Sequence, residues 1–295
     1  MGKKFDAASH VTHWAITQMR EQGQDWTKPW AGNGTENMPT SMSTGKQYRG
    51  INTLVLWSQP YSDHRWGTYK AWRDVGAQVP KGCSSDVAVV FWTFLDSKTH
   101  PGKKIPFLRY SKVWNAEQVE NAPALPIVET VERDPVATIG LVDAFIGHTQ
   151  ATIKHSAQAQ AYYAPGIGRD YIHIPNRDLF TGSETSTPTE SYYSTVLHEL
   201  THWTGSEDRL NRVKGKRWGD QSYAFEELVA ELGAAMLCQY LGIQNTPRDD
   251  YAKYLNNWMQ KLEEDHKAII SAASLAGKAL DYLDGLQPVA SEVAA

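Results

Sequence analysis

The feature that most limits what this chain can fold into is the stretch HELTHWTG, residues 198–205. Positions i and i+4 of a helix share a face, so His198 and His202 can aim two imidazole nitrogens at one point. Glu199 is offset from His198 by about 100° and would address a water molecule beside a metal rather than the metal itself. Local signals place the motif on a helix. Thr187 reads as an N-cap, Pro188 as the first helical residue and Glu190 as the third-position partner of a capping box, and Gly205 ends the segment. Val196, Leu197, Leu200 and Trp203 give this helix an apolar side, which argues against a solvated helix with two incidental histidines.

A zinc site of this type needs a third protein ligand and an open position. The later stretch EELVAEL, residues 226–232, offers Glu227 and Glu231 four apart on one face, with Leu228 and Leu232 alongside to pack it down. Glu227 is expected as the third ligand and Glu231 as the carboxylate that orients a ligand histidine, with Glu226 pointing elsewhere. Two imidazoles and a carboxylate suit Zn2+, and the affinity order leaves room for Mn2+, Co2+ or Ni2+. The chemistry implied is metal-assisted peptide hydrolysis, with Glu199 taking a proton from water and passing it to the leaving amine.

At 295 residues the chain is long enough for two domains. The proline-rich, acidic stretch NAPALPIVETVERDP at 121–135 marks a boundary and predicts domains over 1–130 and 136–285, each burying its own core. The fold class expected is α+β, a mixed α/β domain followed by a mainly helical one. Helices are predicted over 7–22, 141–151 and 223–242, and over 251–283 with a break near 272–277. Strands are predicted over 86–95 and at the start of 170–180. Cys83 and Cys238 are too few and too far apart for a disulfide framework or a CxxC metal site. The N-terminus lacks a signal-peptide pattern and nowhere do 18 apolar residues run together, so a cytoplasmic protein without a membrane span is expected.

The charge is divided unevenly. Residues 1–112 carry 15 Lys and Arg against 8 Asp and Glu, a net of +7, while the remainder carries 14 against 25, a net of −11. Eight of the eleven tryptophans lie in residues 1–114, several among bases and tight turns, as in DWTKPW, KQYRGIN, RWGTYKAWR and VPKG. Binding of single-stranded nucleic acid calls for this mixture, because bases stack on rings while Lys and Arg follow the phosphates. The residues expected to contact single-stranded DNA are Lys28, Trp30, Tyr48, Arg49, Asn52, Tyr69, Lys70, Trp72, Arg73 and Lys81, whereas Trp14 and Trp92, set in apolar runs, are expected in the core.

HELTH followed by E-L-V-A-E resembles the gluzincin-type metallopeptidases, in which HExxH supplies two ligands and the catalytic glutamate, and a later helix supplies the third ligand and its supporting acid. The spacer from His202 to Glu227 exceeds the shortest gluzincin spacing, which leaves Glu226 or Glu231 open as the ligand. The resemblance also implies a transition-state hydrogen-bond donor, a Tyr or His in zincins, and Tyr223 is taken for that role. More broadly, DWTKPW, STGKQYRGINTLVLW and WGTYKAWRDVGAQVPKG, then YYAPGIGRDYIHIPNRDLF, YYSTVLHELTHWTG, RLNR and YAFEELVAELGAAML, resemble the ArdC-type antirestriction proteins over nearly the whole chain. That resemblance implies a plasmid-encoded protein whose first domain binds single-stranded DNA and whose second has a zincin fold, protecting incoming conjugated DNA from the recipient's restriction systems. A restriction-system protein of the host is a further expected partner. The alternative is a zinc-dependent protease whose basic N-terminal half recruits a protein substrate.

Overall fold

In the computed structural model, the residues described are 9, 12–13, 16–17, 38–57, 59–85, 87–96, 104–125, 135–166, 168–181, 187–212, 221–243, 262–263, 265 and 267–288. Residues 9, 12–13 and 16–17 are helical, within the first predicted helix. The N-terminal part is then built from β1 (Thr40–Ser41), α1 (Ile51–Trp57), β2 (Arg65–Gly67), α2 (Tyr69–Asp74), β3 (Ala88–Asp96), β4 (Lys104–Lys112) and β5 (Trp114–Asn115). β2 lies between β1, which it pairs in parallel, and β5, which it pairs antiparallel. β3 and β4 form a two-stranded antiparallel ribbon with Ala88 opposite Lys112 and Asp96 opposite Lys104. The β-branched and aromatic run AVVFWTFLD supplies its first strand, as predicted.

The C-terminal part runs α3 (Pro135–His148), β6 (Ile153–Ser156), β7 (Tyr162–Ala164), β8 (Tyr171–Pro175), α4 (Pro188–Trp203), α5 (Gln221–Leu241) and α6 (Ala268–Asp284). β8 is the middle strand of its sheet, parallel to β6 and antiparallel to β7. The buried Ile172 and Ile174 of β8 join the core that α4 closes. α4 also packs on α5, and α6 packs along α5. Mixed α and β elements in both parts give the α+β class.

Two expectations are corrected. α6 is one unbroken helix through Ala272–Gly277, because that stretch of alanines and glycine fits close packing rather than a loop, with Ala272, Ala273 and Ala276 fully buried. The earlier half of that predicted segment, 251–261, lies outside the described residues. Nor do the two parts keep separate cores. One hydrophobic cluster includes Leu54, Leu56, Trp57 and Trp66 together with Leu197, Leu232, Ala273 and Leu280. Its seam is where α1 meets α6, with the backbone at Gly50 against Ala273 and Gly277. A small satellite core of Trp72, Ala77, Val79 and Ala116 belongs to the N-terminal part alone. Among the described residues no helix is long and apolar enough to cross a membrane.

Candidate metal centre

The site begins with the start of α4. Thr187 accepts a hydrogen bond from the Glu190 amide at 3.2 Å, and the Glu190 carboxylate accepts one from the Thr187 amide at 2.8 Å, with Pro188 at the first helical position. This capping box fixes the register of the helix, and thereby which side of it is buried. That side carries Tyr193, Val196, Leu197 and Leu200, and it carries His198 and Glu199 in with them, each only 2 % exposed. Burial of two such polar groups is costly unless they are paired.

The partners of the two histidines come from α5. His198 Nε2 stands 3.6 Å from Glu227 Oε2 and His202 Nε2 stands 3.4 Å from Glu227 Oε1. One ligand atom from each of these three residues can be chosen so that all lie within 4.8 Å of one another. The other imidazole nitrogens are held from behind, His198 Nδ1 by Glu231 Oε1 at 3.3 Å and His202 Nδ1 by Glu226 Oε1 at 3.4 Å. Thus His198, His202 and Glu227 converge, and Glu231 stands behind His198. Glu226 does not point elsewhere: it backs His202. It does so because Arg212, in the turn after α4, grips its carboxylate through Nε at 3.1 Å and Nη2 at 2.9 Å.

Gly233 permits the two helices to come this close. A Cβ built there would meet Thr201 Cγ2 at 2.5 Å, inside any real contact, so only glycine fits under the HELTH turn. The C-terminal end of α4 is anchored by Arg209, whose guanidinium donates to the Trp203 carbonyl and to Asp170 and Tyr163 and lies 4.0 Å over the Trp203 ring.

The electrostatics are those of a cation site. Burial pushes His202 down, but Glu227, Glu226 and Glu199 together push it up to about 10. Burial likewise favours the neutral form of Glu227, and His202 and His198 nevertheless hold it far below the usual carboxylate range. His198 Nε2 is buried without a hydrogen-bond partner, an arrangement that calls for a ligand. The two histidines face different oxygens of Glu227, and with one donor atom taken from each residue the three lie within 4.8 Å of one another, a convergence able to close on one ion. The residues present therefore fit a divalent metal ion. Tyr223, half-buried, lies one helical turn before Glu227 on α5.

The residues expected to bind DNA are more dispersed. Tyr69, Lys70, Arg73 and Lys81 are exposed, with Tyr69 edge-on to Trp114 and Lys70 paired with Asp74. Arg49 is exposed 3.5 Å from Asp281 of α6, and Tyr48 is half-buried. Trp72 is corrected: it is wholly buried, its indole N–H donates to the Trp114 carbonyl at 2.9 Å, and no base can stack on it. Asn52 is corrected as well, since its amide both donates to and accepts from the Val90 backbone at 2.7 Å, tying α1 to β3. Lys28 and Trp30, and the side chains of Trp14 and Trp92, lie outside the described residues.

Known proteins match both parts. Residues 5–114 match the family described as the N-terminal domain of anti-restriction factor ArdC, and residues 141–275 the family described as zincin-like metallopeptidase. The DNA primase TraC of Escherichia coli is 32% identical over 289 residues, covering 91% of this chain, which spans only 26% of that primase. The uncharacterized protein y4eC of Sinorhizobium fredii is 31% identical over 300 residues, covering 96% of this chain and 92% of the relative. The antirestriction ArdC protein from the R388 plasmid, solved metal-free and Mn(II)-bound, is 36% identical, with a TM-score of 0.76 over 96% of this chain and 98% of that one. With both parts matched in order and two relatives covered almost end to end, the chain belongs to the ArdC-type antirestriction protein family.

Proposed function

We propose that this protein is a plasmid antirestriction factor that binds single-stranded DNA through its N-terminal part, protects incoming conjugated DNA from host restriction, and carries a zinc metallopeptidase-fold domain. The observation that carries this reading is the near-complete likeness to a solved antirestriction protein. The basic balance of residues 1–112 supports it, as do the exposed Tyr69, Lys70, Arg73 and Lys81, a ring and three cations able to meet bases and phosphates. A cytoplasmic location follows from the same reading, since restriction acts there on entering DNA.

His198, His202 and Glu227 would hold the ion, which we take to be Zn2+ for its preference for imidazole and carboxylate in a four-coordinate site, with Mn2+, Co2+ and Ni2+ as competitors. A divalent ion there supplies Lewis-acid polarisation of a carbonyl oxygen. Glu199 would accept a proton at its carboxylate and deliver it to a leaving amine. Tyr223, from the turn before Glu227, is the candidate donor to developing negative charge.

The second reading, a zinc-dependent protease whose basic N-terminal part recruits a protein, is favoured by the burial of Glu199 beside the ligands, which a mere scaffold does not require. Retention of a labelled single-stranded oligonucleotide by the full chain separates the two. Binding that weakens steeply with salt is expected, and no retention at low salt removes the DNA reading. Protection of conjugated DNA by Glu199→Ala then assigns the effect to DNA binding, and loss of protection assigns it to peptide hydrolysis.

A further inference from the structure

Arg212 takes no part in the chemistry above, yet it is among the most constrained side chains near the site. It is only 3 % exposed. Its Nη1 donates to Thr204 Oγ1 at 3.0 Å and its Nη2 to the Thr201 carbonyl, so the guanidinium closes the last turn of α4. The remaining face of the fork is spent on Glu226, with Nε 3.2 Å from Oε1 and 3.1 Å from Oε2, and Nη2 2.9 Å from Oε1. That same Oε1 faces His202 Nδ1. The result is a continuous line from Arg212 through Glu226 to the imidazole whose Nε2 faces Glu227.

An imidazole whose Nδ1–H is held by a carboxylate presents the Nε2 lone pair outward, with its ring angle fixed. Glu226 can do this only if it is held still. Its side chain is only 13% exposed, and the planar fork of Arg212, bonded to both of its oxygens, fixes the carboxylate in place, a geometry that a lysine at 212 could not match. The chain brings Arg212 there through a tight return: Asn211 has φ +47, and the amides of Leu210 and Arg212 donate to the carbonyls of Thr204 and Gly205.

We propose that Arg212 is a positioning residue of the metal centre, acting through Glu226 to hold His202 in the tautomer and orientation that bind the ion. This rests on the reading of His198, His202 and Glu227 as a divalent-metal site. The test is competition for Zn2+ between a chromophoric chelator and the full-length protein as wild type, Arg212→Gln, Arg212→Lys, Glu226→Gln and the Arg212→Gln, Glu226→Gln double variant. Arg212→Gln is expected to weaken Zn2+ binding about 10–100-fold, with Arg212→Lys recovering part of the loss. The double variant is expected to bind no more weakly than Glu226→Gln alone, since Arg212 works through that carboxylate. The visible bands of the Co2+-loaded Arg212→Lys protein should also shift relative to wild type. Thermal unfolding of the metal-free proteins reports any loss of folding separately. Should Arg212→Gln not fold, the same cycle is run with Arg212→Lys. Unchanged Zn2+ affinity in the Arg212 variants, or a loss that adds in full to that of Glu226→Gln, overturns the role. Absence of Zn2+ binding by wild type would instead remove the metal reading itself, and this role with it.

Discussion

At the scale of single residues, the roles in the cluster separate by what each atom faces. His198 and His202 turn Nε2 toward Glu227, whereas Glu199 follows His198 on the helix, about 100° round from it. Removing a ligand and removing Glu199 should therefore differ in kind. The His198→Ala, His202→Ala double variant is expected to contain no bound metal after dialysis, and Glu199→Gln to retain about one ion per chain, both read by elemental analysis. Equal metal content in the two would refute the assignment. That His198 and His202 share a helix face was legible in the sequence because i, i+4 spacing on a capped helix is a geometric statement. Glu226 and Arg212 were not, because adjacent acids on a helix point about 100° apart and only the return of the chain at Arg212 decides whether the second finds a partner. RLNR was visible as a string, but nothing in its composition says that its last arginine folds under the helix. Trp72 misleads for a related reason. Its neighbours Tyr69, Lys70 and Arg73 are exposed, and a one-turn helix shares its sequence window between an outer face and an inner one.

At the scale of elements, the site depends on how closely α4 and α5 approach, and Gly233 sets that distance. Gly233→Ala puts a methyl group into Thr201, and neither helix backbone can yield cheaply because Thr201 and the residues around Gly233 are buried. Overpacking of this kind costs about 1–3 kcal/mol. It also draws Glu227 and Glu231 away from His198, so Zn2+ affinity should fall together with the melting temperature. Gly140 in α3 is the contrast. It is exposed, a Cβ there meets nothing within 4 Å, and Gly140→Ala should raise stability by about 0.5–1 kcal/mol by restricting the unfolded chain. Calorimetry on the two variants checks both signs, and a Gly233→Ala protein as stable as wild type would show that the helices can part without cost. A glycine inside the run ELVAELGAAML was the available signal of close approach. The small residues at 272–277 carry the same message, but suggest a break instead because sequence alone does not distinguish a helix that must pack closely from one that must stop.

At the scale of the whole molecule, the two halves were legible as two charge regimes and two family likenesses, but their shared core was not, since periodicity shows that a face is apolar without naming what covers it. α1 packs on α6, and α6 packs on α5, which carries Glu227 and Glu231, so packed helices run from the N-terminal part to the candidate metal centre. If the seam at Gly50, Ala273 and Gly277 holds the two halves as one cooperative unit, binding at the metal site must stabilise both. A ligand at 100 times its dissociation constant stabilises the folded state by about 2.7 kcal/mol, equivalent to about a hundredfold slower exchange of amides that open only by global unfolding. Hydrogen exchange read by mass spectrometry, with and without Zn2+, is the direct measurement. Core amides of Ile51–Trp57 should slow by about the same factor as those of Pro188–Trp203, although the first segment contains none of the ligands. If the Ile51–Trp57 amides exchange at a metal-independent rate while those of Pro188–Trp203 slow, the halves unfold separately, and occupancy of the metal site cannot be transmitted to a DNA-binding surface through the core.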